Sequence, residues 1–135
     1  MTLSPVLPTG ARERKDTPLV SGVLDYFPAA LAEIARVSKA GSDQHNPGQP
    51  LHWSRGKSMD HADCLLRHLV ERGTLDGDGL RHTAKVAWRA LALLQMELET
   101  AGASVARGAS VPQVDVTTPR DTPGIPAQLH LSAVW

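Results

Sequence analysis

SMDHADCLLRHLVERG, residues 58 to 73, reads as one helix with a ligand-bearing edge and an apolar edge. Ser58 suits an N-cap and Gly73 a C′ position, so both ends are punctuated. At the helical period Ala62, Leu65, Leu66, Leu69 and Val70 share an apolar sector, while Asp60, Asp63 and Arg67 line up beside it at i, i+3, i+7. Like charges one turn apart repel by a few tenths of a kcal/mol. A divalent cation held by Asp60 and Asp63 offsets that repulsion. The plainer alternative is that Asp60 favours the helix N-terminus and Asp63 pairs with Arg67.

Working outward, residues 42–57, SDQHNPGQPLHWSRGK, hold too much Pro, Gly and polar character for a regular element. Loops of about 16 residues are commonly functional. With Trp53 to pack or stack and His45, Asn46, His52, Arg55 and Lys57 to grip a ligand, this stretch is expected to be an ordered substrate loop. Before it, Pro28 opens a helix that runs to Gly41, with Ala30, Leu31, Ile34, Ala35 and Val37 facing the core and Glu33 at the sector margin. After Gly73, TLDGDG is a short turn with Asp78 as N-cap, which makes the flanking helices antiparallel neighbours. The last helix is expected to reach Gly102, with Leu80, Ala84, Ala87, Leu91, Leu94 and Leu98 as its core stripe. On roughly the opposite side His82, Lys85 and Arg89 fall at i, i+3, i+7, a row of nitrogen donors suited to a solvated face, a buried interface or a polyphosphate.

The sum is an all-α chain: a small antiparallel helical bundle over residues 19–102, preceded by an extended arm, 1–18, and followed by a Pro- and Gly-containing tail, 103–135. In the arm, Arg14 and Lys15 can fold back onto an anion; in the tail, Leu129, Leu131 and Trp135 can pack on a partner. With 135 residues, zero formal net charge and 41% hydrophobic residues, the chain has room for one small domain. It lacks the basic run that a large phosphate-backbone footprint needs, so no nucleic-acid partner is expected. Its single cysteine, Cys64, excludes an internal disulfide and fits a reducing compartment. No apolar run approaches the roughly 20 residues of a membrane span, and the N-terminus lacks a signal-peptide core. A cytoplasmic protein is the expectation.

Carboxylates from two helices, Glu33 on one and Asp60 with Asp63 on the next, can hold magnesium or manganese, which prefer oxygen ligands. A cationic row on a third helix can take the phosphate oxygens that the metal leaves. That is the inventory for hydrolysing a phosphoanhydride. An HD-type phosphohydrolase fits less well, because the order here is Asp60-His61 and the helices are too few. A non-catalytic dimeric helical module binding a phage or host protein is the alternative from another class.

The runs RKDTPLVSGVLDYFPAALAEIARVSKAG, QHNPGQPLHW, RGKSMDHADCLLRHLVERGTLDGDGLRH and AKVAWRALALLQ resemble the phage-encoded dATP/dGTP diphosphohydrolases, in particular the MazZ type. The resemblance covers about residues 14 to 98. It implies a MazG-like all-α nucleotide pyrophosphohydrolase that cleaves a deoxypurine triphosphate between its α and β phosphates with Mg2+ or Mn2+. In phages that replace adenine with 2-aminoadenine, such enzymes supply dGMP in the host cytoplasm. It further implies a homodimer or higher homo-oligomer. MazG-like enzymes pair an E-x-x-E element with E-x-x-D; this chain keeps the second as Asp60-x-x-Asp63 but has only Glu33 in the first, with Arg36 at i+3, so either fewer carboxylates serve or Asp43 completes the set. Glu33, Asp60 and Asp63 are thus the expected catalytic and metal-binding residues. Asn46, Trp53, Arg55, Lys57, His82, Lys85 and Arg89 are the expected substrate contacts.

Overall fold

Pro28, with its fixed φ and missing N–H, starts the first long helix of the computed structural model, which describes residues 5–109. Four α-helices follow one another: α1 (Ala11–Lys15), α2 (Pro28–His45), α3 (His61–Val70) and α4 (His82–Thr100). A π turn at Val20–Leu24 and short 3₁₀ turns at Arg55–Lys57 and Arg107–Ala109 fill in between. There is no named strand among the described residues, so the all-α expectation holds. The arm is less extended than expected, since ARERK coils into α1. Leu129, Leu131 and Trp135 of the tail lie outside the described residues.

Helix α2 does not stop at Gly41 but runs on to His45. A mid-helix glycine costs about 1 kcal/mol, and the continuation is supported by the Lys39–Asp43 pair at 2.7 Å and by Ser42, whose Oγ accepts the His52 N–H at 3.3 Å. Helix α3 is shorter than expected, with Asp60 at its N-cap and Glu71 at its C-cap. The chain then reverses through Gly73 (φ +86°) and Gly79 (φ +81°), left-handed positions that glycine takes without strain. An isolated antiparallel bridge joins Leu75 to Arg81. This hairpin sets α3 antiparallel against α4, and α2 packs on α4 as well.

The helix faces differ in part from the expected ones, although Val37, Leu80 and Ala84 are buried as expected. On α3 the buried residues are His61, Cys64 and His68, while Leu66, Leu69 and Val70 are exposed. On α4 they are Ala84, Lys85, Arg89 and Ala92, while Leu91, Leu94 and Leu98 face outward, Leu94 being 51% exposed. The polar side chains of α4 turn inward because His82 and Arg89 meet His68 and His61 across the α3–α4 seam and Lys85 pairs with Asp76 and Asp78 of the hairpin. The apolar core proper is small, with Val37, Leu80 and Ala84 buried and Ala40 and Trp88 packed against them.

Candidate active site

A cavity of about 270 Å³ opens where α2, the 46–60 loop, the start of α3, the middle of α4 and residues 106–109 meet. Its aromatic lining is Trp53, His61 and Trp88, with ring centroids 5.7 to 6.2 Å apart. The Trp88 indole is fixed by donating Nε1–H to Ser38 Oγ at 2.7 Å. The loop reaches the cavity because it is pinned from both sides. Asn46 is buried; its Oδ1 accepts the Ser54 hydroxyl at 2.7 Å, and the Trp53 N–H donates to the Gly108 carbonyl at 2.7 Å. Arg55 lies 4.2 Å over the Trp53 ring while its guanidinium makes a two-pronged pair with Glu99. That pair pulls the Glu99 carboxyl down to about 2.

Charge enters the cavity wall through Arg89, which is 2% exposed. It donates to Ser58 Oγ at 2.9 Å and to His61 Nδ1 at 3.0 Å. Accepting at Nδ1 leaves the His61 proton on Nε2. Burial and the nearby Arg89 charge both push the His61 pKa down, so the ring is neutral at pH 7. Arg89 Nε and His61 Nε2 are buried with no hydrogen-bond partner. Among the described residues no carboxylate lies within ion-pair distance of Arg89. A buried cation with unmet donors beside aromatic walls is suited to an anionic ligand that carries a flat ring.

Of the expected substrate contacts, Trp53 and Arg89 line this cavity. Asn46 and Arg55 hold the loop that forms its wall, and Lys57 donates to the His45 carbonyl. His82 and Lys85 instead face the hairpin. Lys85 is 1% exposed, with its ammonium 2.7 Å from both Asp76 and Asp78. His82 Nδ1 is 2.8 Å from His68 Nδ1. Burial raises the Asp76 pKa, but the Lys85 and Gly77 N–H hydrogen bonds outweigh it and the net shift is downward.

The expected metal-binding carboxylates sit at the periphery of the single chain. Asp60 accepts from Arg67 at 2.9 Å and Ser58 at 3.1 Å, and the Arg67 guanidinium is the main cause of its lowered pKa. Asp63 is exposed on the same helix edge. Half-buried Glu33 accepts from Arg36 at 2.9 Å. Their oxygens suit a hard divalent ion, but the three do not draw together within 4.8 Å as a group; among the described residues the group that does is His68, Asp76 and His82. The hairpin signal was present in the sequence as His68 and His82 flanking an Asp-Gly-Asp-Gly turn, and was read there only as a turn. Trp88 carries no expected role because it lies among residues that read as core, and His61 enters the sequence reading only through the HD-type alternative.

No helix among the described residues is by itself long and apolar enough to cross a membrane. Neither the curated proteins nor the solved structures compared with the chain give a match. The family model described as dATP/dGTP diphosphohydrolase, N-terminal, matches residues 9–105. That span takes in α1 to α4, the 42–57 loop and the hairpin, so the chain belongs to the dATP/dGTP diphosphohydrolase family and is a hydrolase of phosphoanhydrides.

Proposed function

We propose that the chain hydrolyses dGTP, with dATP as a second substrate, between the α and β phosphates, giving the deoxynucleoside monophosphate and pyrophosphate. The observation that carries this reading is Arg89, a buried cation with no carboxylate partner among the described residues, in an aromatic-walled cavity. The purine is held against Trp53 and Trp88, where stacking on an aromatic ring contributes about 1–3 kcal/mol. Arg89 takes a phosphate oxygen, and the His61 Nε2–H is a second donor beside it. Glu33, Asp60 and Asp63, with Asp43 available to complete the set, would hold magnesium or manganese, which would supply charge neutralisation of the triphosphate and an activated water. Asp60 lies between the cavity-lining Ser58 and His61 and Asp63 two residues beyond, which supports their reaching a triphosphate that projects from the cavity.

Assembly completes the reading. Leu66, Leu69 and Val70 on α3 and Leu91, Leu94 and Leu98 on α4 are exposed, and each gains about 1.5–3 kcal/mol when fully buried. A homodimer or higher homo-oligomer covers such a surface, and a second copy can bring carboxylates of the two chains together. The working role is supply of dGMP for 2-aminoadenine nucleotide synthesis in the cytoplasm of a phage-infected cell, as a MazZ-type enzyme.

The test is to incubate the protein with each of the four dNTPs and Mg2+ or Mn2+ and to identify products by chromatography. dGMP with pyrophosphate, lost with chelator and in Asp63→Asn, supports the reading. Release of inorganic phosphate in place of pyrophosphate, or turnover undiminished in Asp63→Asn, overturns it.

A further inference from the structure

We propose that the α3–α4 hairpin is a second metal site, distinct from the carboxylate set, in which His68, Asp76 and His82 hold one first-row transition ion of the zinc type. One ligand atom from each lies within 4.8 Å of the others. The three come from the last turn of α3, the connecting turn and the first residue of α4. An ion there ties the two ends of the hairpin together.

The donor set chooses the metal. Two imidazole nitrogens and one carboxylate suit zinc, cobalt, nickel or iron, whereas magnesium prefers oxygen alone. The two Nδ1 atoms approach to 2.8 Å, so they share one proton at most and the rings cannot both be cations. With zinc–nitrogen bonds of about 2.0–2.1 Å in tetrahedral geometry, the two nitrogens would stand about 3.3 Å apart. The rings need to separate by only about half an ångström, and water can fill the remaining position.

Charge and support favour a cation as well. Lys85 contributes one positive charge, and Asp76 and Asp78 contribute two negative ones; with neutral imidazoles the cluster is left at −1 in a mostly buried setting. Asp76 is held by the Gly77 N–H at 2.6 Å and by Lys85 at 2.7 Å. Asp78 accepts the Leu80 N–H at 3.0 Å, which fixes the turn. These are the outer contacts that orient metal-binding side chains.

The test uses the full chain, purified in chelator and exchanged into metal-free buffer, with zinc chloride titrated by calorimetry. One zinc per chain is expected to bind, with a rise in the thermal midpoint that millimolar magnesium does not reproduce. Cobalt(II) in its place should show the intense visible bands of a four-coordinate ion. Asp76→Asn and His82→Gln, checked for helicity by circular dichroism, should each weaken zinc binding by more than about tenfold, while Asp63→Asn should bind zinc as the parent does. Absence of a one-equivalent zinc event in the parent chain overturns the proposal whatever the variants do. So does zinc binding that survives both hairpin substitutions or is lost in Asp63→Asn.

Discussion

Arg55, in the loop before α3, and Glu99, in the last turn of α4, form a two-pronged ion pair across 44 residues of chain. Glu99 also accepts from Gln95 at 2.7 Å and from the Ala106 N–H at 3.3 Å. One carboxylate thereby fastens the loop, the end of α4 and the chain that follows it. Because Arg55 also covers Trp53, the same contact sets the position of a cavity wall.

That pairing gives a pH signature. The Glu99 pKa is about 2 in the folded chain, below its ordinary 4.5, chiefly through Arg55. A depressed carboxylate pKa contributes stability that is fully present above 4.5 and is lost as pH falls toward 2. Thermal midpoints recorded from pH 6 to 2 should therefore fall more steeply for the parent chain than for Glu99→Gln. Equal slopes would show that the pair contributes nothing to stability.

Arg89→Met keeps most of the buried stem but removes the charge. A charged hydrogen bond to phosphate is worth about 1.5–3 kcal/mol, so kcat/KM for dGTP should drop by roughly 10- to 150-fold. The substitution removes the unmet Arg89 Nε donor and leaves His61 Nδ1 without the donor it accepts from, so circular dichroism should accompany the kinetics to show that the variant folds. Unchanged kcat/KM in steady-state kinetics would place the triphosphate elsewhere.

Lys85→Met leaves Asp76 and Asp78 facing each other with no ammonium between them. Breaking a buried pair costs about 3–5 kcal/mol, and the lower end applies because Asp78 is 38% exposed. A fall in the thermal midpoint of roughly 12 °C or more follows for a domain of this size. Lowering the pH below the ordinary carboxylate range should narrow the gap between variant and parent, since protonation removes the repulsion.

Leu94→Asp puts a charge in the middle of the outward leucine row. Light scattering at micromolar concentration should show a multiple of the chain mass for the parent and a smaller species for the variant. A parent that runs as a monomer would end the assembly reading.

The helices were largely legible because their punctuation is local: Pro28, Gly73 and the Asp-Gly-Asp-Gly turn act through their own backbone. Which way the helices face was not. Hydrophobicity alone puts Leu91, Leu94 and Leu98 inside, but the row His82, Lys85, Arg89 runs antiparallel to His61, Cys64, His68, so that Arg89 meets His61 and His82 meets His68. Pairing across an antiparallel seam gives partners to Arg89, His61, His68 and His82 that a single-helix reading leaves without any. The loop was recognisable as ordered through Trp53, yet its anchors Glu99 and Gly108 are too distant in sequence for any local pattern to reveal.

The Trp53 N–H to Gly108 carbonyl bond carries a practical consequence for anyone trimming the chain. The family match ends at residue 105, but Ala106, Gly108 and Ala109 are part of the cavity wall. A fragment stopped at the family boundary would keep every α-helix and still lose one side of the cavity, so a unit that preserves it must extend through residue 109.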